Sequence, residues 1–211
     1  MTDALRRQGV EPATVIDVGA NVGQFAVACS RMLMPSAIYS FEPIPAVGAR
    51  LQKNLAAVQS ADAYPLALGD YEGSADFHVN KHTHSSSVLR LAEGHRSAFP
   101  QAAEAETIKV PMTTLDRFFG ERDLREPVLL KLDVQGYEAK VVGGGGETLR
   151  RIRWVVAEAS LRRMYEGEPL FLDLVELMKS KGFNFLRPVG SLPDPRNGEI
   201  LQLDALFERE V

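Results

Sequence analysis

The chain has 211 residues, of which 45% are hydrophobic and 25% are charged. This length is enough for one well-buried core and short for two, so we expect a single domain over residues 1–211. The formal net charge of −4 provides no basic surface field, which disfavours a nucleic-acid partner. The single cysteine, Cys29, excludes a disulfide framework and fits a reducing compartment.

The first nine residues contain Asp3, Arg6 and Arg7, and no apolar stretch follows them. This pattern argues against a secretory signal peptide. No apolar run in the sequence approaches the length that is needed to span a bilayer. We therefore expect a cytoplasmic protein without a membrane partner.

The first predicted strand, residues 14–18, leads into a glycine turn and then into a helix predicted over 22–33. Asp17 stands near the carboxyl end of this strand, and the turn runs from Gly19 to Gly23. A strand, a glycine turn and a helix N-terminus in this order are typical of a nucleotide-type cofactor site. The turn is expected to let backbone amides approach the ligand.

The composition of this turn predicts which cofactor it binds. A dinucleotide fingerprint requires glycine at positions 19, 21 and 24, whereas the chain has Gly19, Asn21 and Gln24. The sequence also lacks a phosphate-binding Gly-Lys-Ser/Thr tripeptide. A cofactor with an amino-acid tail fits better, because its ammonium group complements the carboxylate of Asp17. The pattern therefore predicts S-adenosyl-L-methionine, bound by Asp17, Gly19, Asn21 and Gly23.

The second predicted strand, residues 37–41, is followed directly by Glu42. In a strand-helix-strand unit an acid at this place accepts hydrogen bonds from the ribose hydroxyls. The alternative is an ordinary solvated loop acid. A helix over 45–58 and a strand over 62–67 come next, and Leu68, just after that strand, is expected to line the adenine.

Residues 70–112 are predicted to be an irregular insertion that recognises the substrate. Attack by a hydroxyl on a methyl group needs a base, and histidine titrates near neutral pH. His82 and His84 are the candidates, since residues two apart share one face of a strand. Two alternatives stay open: loop histidines without a role, and a metal site that also includes His78.

The predicted strand 128–133 carries a second group of candidates at its end. Asp133 lies at the expected switch point of the sheet, where it could contact the cofactor, orient the substrate hydroxyl, act as a base or hold a divalent ion. Glu138, at the start of a helix predicted over 137–142, is either catalytic or a partner of the helix dipole. Lys131, inside the strand, either extends to solvent or pairs with a carboxylate.

Substrate contacts are predicted from Ser85 and Ser86, whose hydroxyls suit a polar acceptor. Glu158, at the end of a strand predicted over 153–158, is a third candidate, and its alternative role is that of an ordinary strand-end acid. No resident metal is assigned.

The remaining elements complete an α/β fold in which strands and helices alternate. A helix is predicted over 169–181, followed by strands over 183–187 and 200–207, with a hairpin loop at 188–199 between them. The sequence therefore predicts a doubly wound, mostly parallel sheet with a final antiparallel strand.

Four segments of the chain resemble FkbM-type methyltransferases and together extend over most of its length. They are VIDVGANVGQFA at 15–26, YSFEP at 39–43, TLDRF at 114–118 and LLKLDVQGYEAKVVGG at 129–144. The resemblance implies a class I, Rossmann-like fold that uses S-adenosyl-L-methionine and transfers its methyl group to an oxygen. The acceptor in this family is commonly a hydroxyl of a sugar or a secondary metabolite, such as a polyketide or glycoconjugate. The glycine run at 143–146 departs from the family pattern and puts the end of that helix in doubt.

These observations predict an S-adenosyl-L-methionine-dependent O-methyltransferase with a small-molecule or carbohydrate acceptor. A homo-oligomer is compatible with the sequence. Three alternatives stay open: a nucleotide-binding enzyme of the same architecture, a non-catalytic binding protein that retains the fold, and a methyltransferase with a nitrogen or other acceptor. Fold alone does not decide between them.

Overall fold

The computed structural model describes residues 1–80, 85–99 and 104–210. The first third of the chain contains α1 (Thr2–Arg7), β1 (Thr14–Val18), α2 (Gln24–Met32), β2 (Ala37–Phe41), α3 (Pro45–Leu55) and β3 (Ala61–Tyr64). The middle contains β4 (Ala67–Leu68), β5 (Gly73–Asn80), α4 (Glu93–Ala98), β6 (Glu104–Thr113) and α5 (Leu115–Phe119). The last part contains β7 (Val128–Leu132), α6 (Glu138–Gly143), a 3-10 turn (Thr148–Arg151), β8 (Ile152–Ser160), α7 (Phe171–Ser180), β9 (Phe183–Pro193) and β10 (Ile200–Arg209).

Within the described residues, the main sheet has seven strands in the order β3-β2-β1-β7-β8-β10-β9. The five strands from β3 to β8 pair in parallel, whereas β10 runs antiparallel to β8 and to β9. The predicted α/β class and the final antiparallel strand are therefore confirmed. The order reverses beside β1, which is the topological switch point where open α/β sheets bind ligands.

Alternating side chains of the central strands pack on the two faces of this sheet. Ile16 and Leu130 belong to one buried cluster together with residues of α6 and α7. Val15 and Leu129 belong to a second cluster with residues of α1 and α2. A strand whose side chains are buried on both faces reads as a continuous apolar run, and all five residues of β7 are buried.

The segment 70–112 differs from its prediction as an irregular insertion. It contributes the strands β5 and β6, which pair with β4 in a second sheet in the order β4-β6-β5. The predicted strand 62–67 is divided between the two sheets, because β3 ends at Tyr64 and β4 begins at Ala67.

The predicted hairpin loop 188–199 is also too long, since β9 continues to Pro193. Helix α6 ends at Gly143, which is the first residue of the glycine run. No helix in the described parts of the chain is long and apolar enough to cross a membrane.

Candidate active site

The carboxyl ends of β1, β2 and β7 meet at one edge of the main sheet and line a cavity. We call it the first cavity. The predicted site residues that line it are Gly19, Asn21, Glu42, Leu68, Ser86 and Asp133. Apolar side chains, among them Ile44 and Phe77, form much of the remaining wall. The structure thus brings together groups that are far apart in the sequence, because neighbouring parallel strands end at the same edge.

Glu42 is 5% exposed and lies at one side of the first cavity. Its Oε2 accepts a hydrogen bond from the Asn21 amide at 3.0 Å, and its Oε1 accepts one from the Ile44 amide at 2.9 Å. Burial raises the pKa of Glu42 to about 7, although the two amides act in the opposite direction. Each carboxylate oxygen has a further lone pair, so the group can still accept hydrogen bonds from a ligand. Glu42 is therefore a structured carboxyl group and not a solvated loop acid.

The sequence predicted that the amides of the glycine turn approach the ligand, but most of them donate to other groups of the protein. The amides of Gly19 and Ala20 donate to the Phe41 carbonyl at 3.1 and 2.9 Å. The Gly23 amide donates to the Ala20 carbonyl at 2.8 Å. The amide of Val22 donates to the Asn21 side chain at 2.8 Å. Because these donors are satisfied within the protein, the turn is a poor phosphate cradle.

The two glycines of this turn serve close packing of the backbone. A Cβ on Gly19, which has φ +76°, would lie 1.9 Å from the Asp133 carbonyl oxygen. A Cβ on Gly23, which has φ +90°, would lie 2.8 Å from a methyl carbon of Leu51. Both positions therefore require glycine for conformation and for space. Only Gly19 also lines the first cavity.

Asp17 does not reach the first cavity, contrary to the prediction that it contacts a cofactor ammonium. Its side chain is fully buried, and the Lys131 ammonium lies 3.2 Å from its Oδ1. The same ammonium lies 3.2 Å from Oδ2 of Asp133. Burial opposes the charge of Lys131, but the two carboxylates outweigh this effect and raise its pKa. Burial raises the pKa of Asp17, and Lys131 counteracts the rise.

Asp133 is the member of this triad that faces ligand space, since its side chain is 36% exposed and lines the first cavity. With both acids ionised, the triad carries one net negative charge. A positively charged ligand group would therefore meet its attraction at Asp133. Lys131 is the side chain that couples the buried Asp17 to this exposed carboxylate.

A second cavity adjoins the first. The residues that line it are Ser85, His95, Phe99, Asp133, Gln135, Glu158, Leu192 and Gln202. Asp133 and Gln135 line both cavities. The structure therefore places two ligand spaces on either side of one shared wall.

Gln135 holds this wall together by hydrogen bonds in three directions. Its side-chain amide donates to Oδ1 of Asp133 at 2.7 Å and to Oε2 of Glu158 at 2.7 Å. The side-chain oxygen Oε1 of Gln135 accepts a hydrogen bond from the Tyr165 hydroxyl. Gln202 donates a further bond to Oε2 of Glu158 at 2.9 Å. Gln135 has φ +58°, a conformation that non-glycine residues rarely adopt and that is frequent at functional sites.

Glu158 lies within β8. The sequence predicted that this strand ends at residue 158, but it continues to Ser160. Burial and the neighbouring acids Asp133, Glu138 and Asp204 raise its pKa well above the usual range. A neutral Glu158 carboxyl both donates and accepts hydrogen bonds. This property suits contacts to an uncharged polar ligand in the second cavity.

Glu138, predicted as catalytic or as a partner of the helix dipole, lines neither cavity. Its Oε1 accepts a hydrogen bond from the Val134 amide at 3.0 Å and a longer one from the Gly136 amide at 3.4 Å. Burial raises its pKa to about 8. Glu138 therefore supports the turn that carries Asp133, and the catalytic prediction for it lacks geometric support.

The candidates from the insertion have different positions. His82 and His84 lie outside the described residues. Ser85 lines the second cavity, whereas Ser86 lines the first and accepts a hydrogen bond from the Asn80 amide at 3.0 Å. His78 lies 3.0 Å from the Thr107 hydroxyl through Nδ1. The described part of the chain contains no group of three metal-ligating side chains.

The sequence interpretation assigned no site role to four residues of the second cavity and its wall: His95, Gln135, Tyr165 and Gln202. Gln135 lies in the segment LDVQGYE beside Asp133, so its position next to a predicted site residue was an available signal. The other three come from α4, from the segment after β8 and from β10, and no local pattern connects them.

The sheet order and the ligand space at its switch point define a class I, Rossmann-like methyltransferase fold. The family that is described as "Methyltransferase FkbM domain" matches residues 17–185 of this chain, in agreement with the fold. The chain belongs to this family of methyltransferases.

Solved structures with the same fold include a methyltransferase FkbM from Methylobacillus flagellatus, with a TM-score of 0.55 and 11% identity. The match covers 92% of this chain but only 43% of that protein. A TehB-like methyltransferase from Corynebacterium glutamicum has a TM-score of 0.53 and 12% identity, with 99% of this chain and 86% of that one covered. These likenesses concern the fold alone.

Curated relatives are more similar in sequence. The 2-O-methyltransferase NoeI of Sinorhizobium fredii is 28% identical over 172 residues, which cover 79% of this chain and 71% of NoeI. The hexuronic acid methyltransferase AglP of Haloferax volcanii is 25% identical over 154 residues, which cover 73% of this chain and 59% of AglP.

Proposed function

We propose that this protein transfers a methyl group from S-adenosyl-L-methionine to a hydroxyl oxygen of a sugar or secondary metabolite. The observation that carries the proposal is the pair of adjoining cavities with Asp133 and Gln135 in their common wall. A methyl donor and an acceptor must lie next to each other with the reacting atoms aligned. Two ligand spaces that meet at one polar wall supply this arrangement.

The residues of the first cavity fit the parts of S-adenosyl-L-methionine. Ile44, Leu68 and Phe77 offer apolar surface to the adenine. Glu42 keeps lone pairs for the ribose hydroxyls after accepting its two backbone hydrogen bonds. Asp133, the exposed end of a triad with net negative charge, complements the cationic amino-acid end.

The bound cofactor would supply a methyl group on a positively charged sulfur, from which an attacking oxygen can take it. The protein's own residues perform the remaining tasks. Asp133 and Gln135 fix the boundary between the two ligands through the 2.7 Å hydrogen bond that joins them.

The acceptor is assigned to the second cavity. Its wall contains the Ser85 side chain, the amides of Gln135 and Gln202 and the carboxyl group of Glu158. Burial and the neighbouring acids raise the pKa of Glu158, which favours the neutral form of this carboxyl group. Uncharged donors and acceptors of this kind suit an acceptor with several hydroxyl groups. The names of NoeI, a 2-O-methyltransferase, and AglP, a hexuronic acid methyltransferase, agree with an oxygen acceptor and a carbohydrate substrate.

The alternative function is binding of a dinucleotide by the same architecture. The saturated amides of the glycine turn disfavour it, because a pyrophosphate would find no free donors among Gly19, Ala20 and Gly23. The proposal retains the expected partners, which are a small-molecule or carbohydrate acceptor without nucleic acid or membrane.

Two measurements test the proposed function. Isothermal titration calorimetry should give a dissociation constant for S-adenosyl-L-homocysteine that is at least about 100-fold lower than for NADH. Equal affinities would overturn the choice of cofactor. The protein should then be incubated with methyl-labelled S-adenosyl-L-methionine and a panel of neutral sugars, uronic acids and small polyols. Label in an ether-linked methyl group supports the proposal, whereas label only on nitrogen acceptors would contradict the hydroxyl assignment.

A further inference from the structure

His95 is a buried histidine that has no part in the proposed function so far. It lies in α4, is 4% exposed and lines the second cavity. Its ring lies 5.2 Å from the Phe99 ring and 5.6 Å from the Tyr165 ring, measured between centroids. Its Nδ1 is buried and has no hydrogen-bond partner. Buried polar atoms normally have partners, so an unpaired one calls for an explanation.

The backbone around His95 is held firmly against the segment after β8. The Ala92 amide donates to the Met164 carbonyl at 2.9 Å. A Cβ on Gly94 would lie 2.7 Å from the Arg163 carbonyl oxygen, so α4 approaches this segment as closely as a glycine permits. These contacts place the backbone of α4 against this segment, and the rings of Phe99 and Tyr165 lie beside the imidazole.

The two carboxyl groups that line the second cavity already have partners. Asp133 accepts from Gln135 through Oδ1, and its Oδ2 lies 3.2 Å from the Lys131 ammonium. Glu158 accepts from two side-chain amides through Oε2. Both carboxyl groups are therefore engaged in the wall of the cavity. The Nδ1 atom of His95, in contrast, has no hydrogen-bond partner.

We propose that His95 is the general base for the acceptor hydroxyl. The inference rests on the proposed function and names the proton acceptor for it. The hydroxyl proton moves to the neutral imidazole, which becomes imidazolium. The oxygen keeps the electron pair of its broken O–H bond and forms the new bond to the methyl carbon, while the sulfur keeps the pair of the broken S–C bond. No further reactant is needed.

Burial of the ring favours a neutral imidazole before the reaction. Burial lowers the pKa of His95. Across the cavity, Asp133 shares the Lys131 ammonium with Asp17, and burial raises the pKa of Glu158. The adjacent Tyr165 is also neutral, because its pKa is raised well above the usual range. On its own helix, the charged neighbours are Glu93 and Arg96, and Arg96 lies 4.0 Å from Glu166.

A titration of the histidine side chains tests this assignment without measuring activity. The protein is labelled with 15N-histidine, and imidazole titrations are followed by NMR with S-adenosyl-L-homocysteine and with S-adenosyl-L-methionine. The two ligands differ by one methyl group and one positive charge. If His95 faces the methyl group, the second ligand should lower its affinity for a proton at least about threefold relative to the first. Signals of His95 are assigned from the spectrum of His95→Gln.

The outcomes separate this inference from the proposed function. If calorimetry detects no binding of either ligand, the proposed function fails. If both ligands bind and the His95 titration is the same in both complexes, only the base assignment fails. An imidazole that is already protonated at pH 7 in the S-adenosyl-L-methionine complex would likewise overturn it.

Variants test the same point through turnover of an acceptor from the panel. His95→Gln and His95→Phe should each lower kcat about 100-fold or more with little change in KM. His95→Phe keeps an aromatic ring between Phe99 and Tyr165, so a loss in both variants does not reflect lost packing. Arg96→Gln, on the exposed side of the same helix, is the matched control and should retain activity. Normal turnover in both His95 variants would contradict the proposal.

Discussion

The two cavities lie side by side but are built in different ways. The first is formed where predicted parallel strands end, so its Glu42 and Asp133 follow directly from the order of strands and helices. The second combines α4, β8, the β9–β10 hairpin and the turn after β7. Parallel strand ends recur at a defined edge, whereas contacts between distant segments have no local signature. The comparison predicts that the first cavity depends on the main sheet and that the second can change independently of it.

The largest effect is expected at the backbone contact between the glycine turn and Asp133. Gly19→Ala should destabilise the protein by about 4 kcal/mol or more, because its Cβ would lie 1.9 Å from a carbonyl oxygen. Chemical denaturation measures this loss. Gly198→Ala is the matched control, since Gly198 has φ +77° with open space around it and should cost only about 1–2 kcal/mol. Equal losses would mean that the close approach is not the cause.

The buried triad should give the next largest effect. Lys131→Met leaves the fully buried Asp17 without its ion pair, which should cost about 3–5 kcal/mol. The double variant Asp17→Asn/Lys131→Met should recover part of this loss, because it no longer buries an unpaired charge. Denaturation of the single and double variants in a double-mutant cycle measures the coupling. Purely additive losses would contradict an interaction between the two side chains.

A smaller effect is expected for Glu42 in the first cavity. Glu42→Ala should weaken binding of S-adenosyl-L-homocysteine by about 1–3 kcal/mol, since the ribose hydroxyls lose their acceptor. Calorimetry measures the change. Glu42 also accepts the amides of Asn21 and Ile44, so a melting temperature must accompany the measurement. Glu42→Gln keeps one acceptor oxygen, so its affinity for S-adenosyl-L-homocysteine should lie between those of the wild type and Glu42→Ala. An unchanged dissociation constant in a folded Glu42→Ala protein would refute the ribose assignment.

The last prediction is a pH dependence of stability without ligand. The pKa values of Glu42 and Glu138 are raised to about 7 and about 8 by burial. Between its unfolded and folded pKa, each group binds more protons in the folded state. Its stabilising contribution is therefore complete below the unfolded pKa and is lost as the pH rises through the folded pKa. We expect the free energy of unfolding to fall between pH 5 and pH 8.5, by at most about 1.4 kcal/mol per pH unit for each group.

Denaturation of the wild type and of Glu42→Gln and Glu138→Gln at the two pH values checks this expectation. Each substitution removes one titrating carboxyl group, so each variant should have a flatter pH dependence than the wild type. Parallel curves for all three proteins would show that other groups cause the change.

The sequence predicted the elements whose pattern is local. Apolar runs identified β1, β2, β7 and β8, and the glycine turn located the switch point of the sheet. The sequence could not reveal that Asp17 is buried beneath the turn, because strand periodicity does not distinguish a carboxylate that reaches a ligand from one that pairs with Lys131. The direction of the turn amides was likewise decided by the Phe41 carbonyl on the neighbouring strand.

The second sheet and the second cavity were harder to predict for a different reason. The bond between Tyr165 and Gln135 joins residues 30 positions apart, and that between Gln202 and Glu158 joins residues 44 positions apart. Such pairs depend on tertiary packing, which single-sequence patterns do not encode. The roles of individual site residues stay predictions until the variants are measured.

The β9–β10 hairpin gives the second cavity a particular evolutionary freedom. Leu192 and Gln202 contribute to its wall from the final two strands of the chain, and neither residue lines the first cavity. Substitutions in this hairpin can therefore reshape one ligand space while the walls of the other keep their composition. Under the proposed function, evolution of this hairpin can change the acceptor while the residues that bind the methyl donor stay the same.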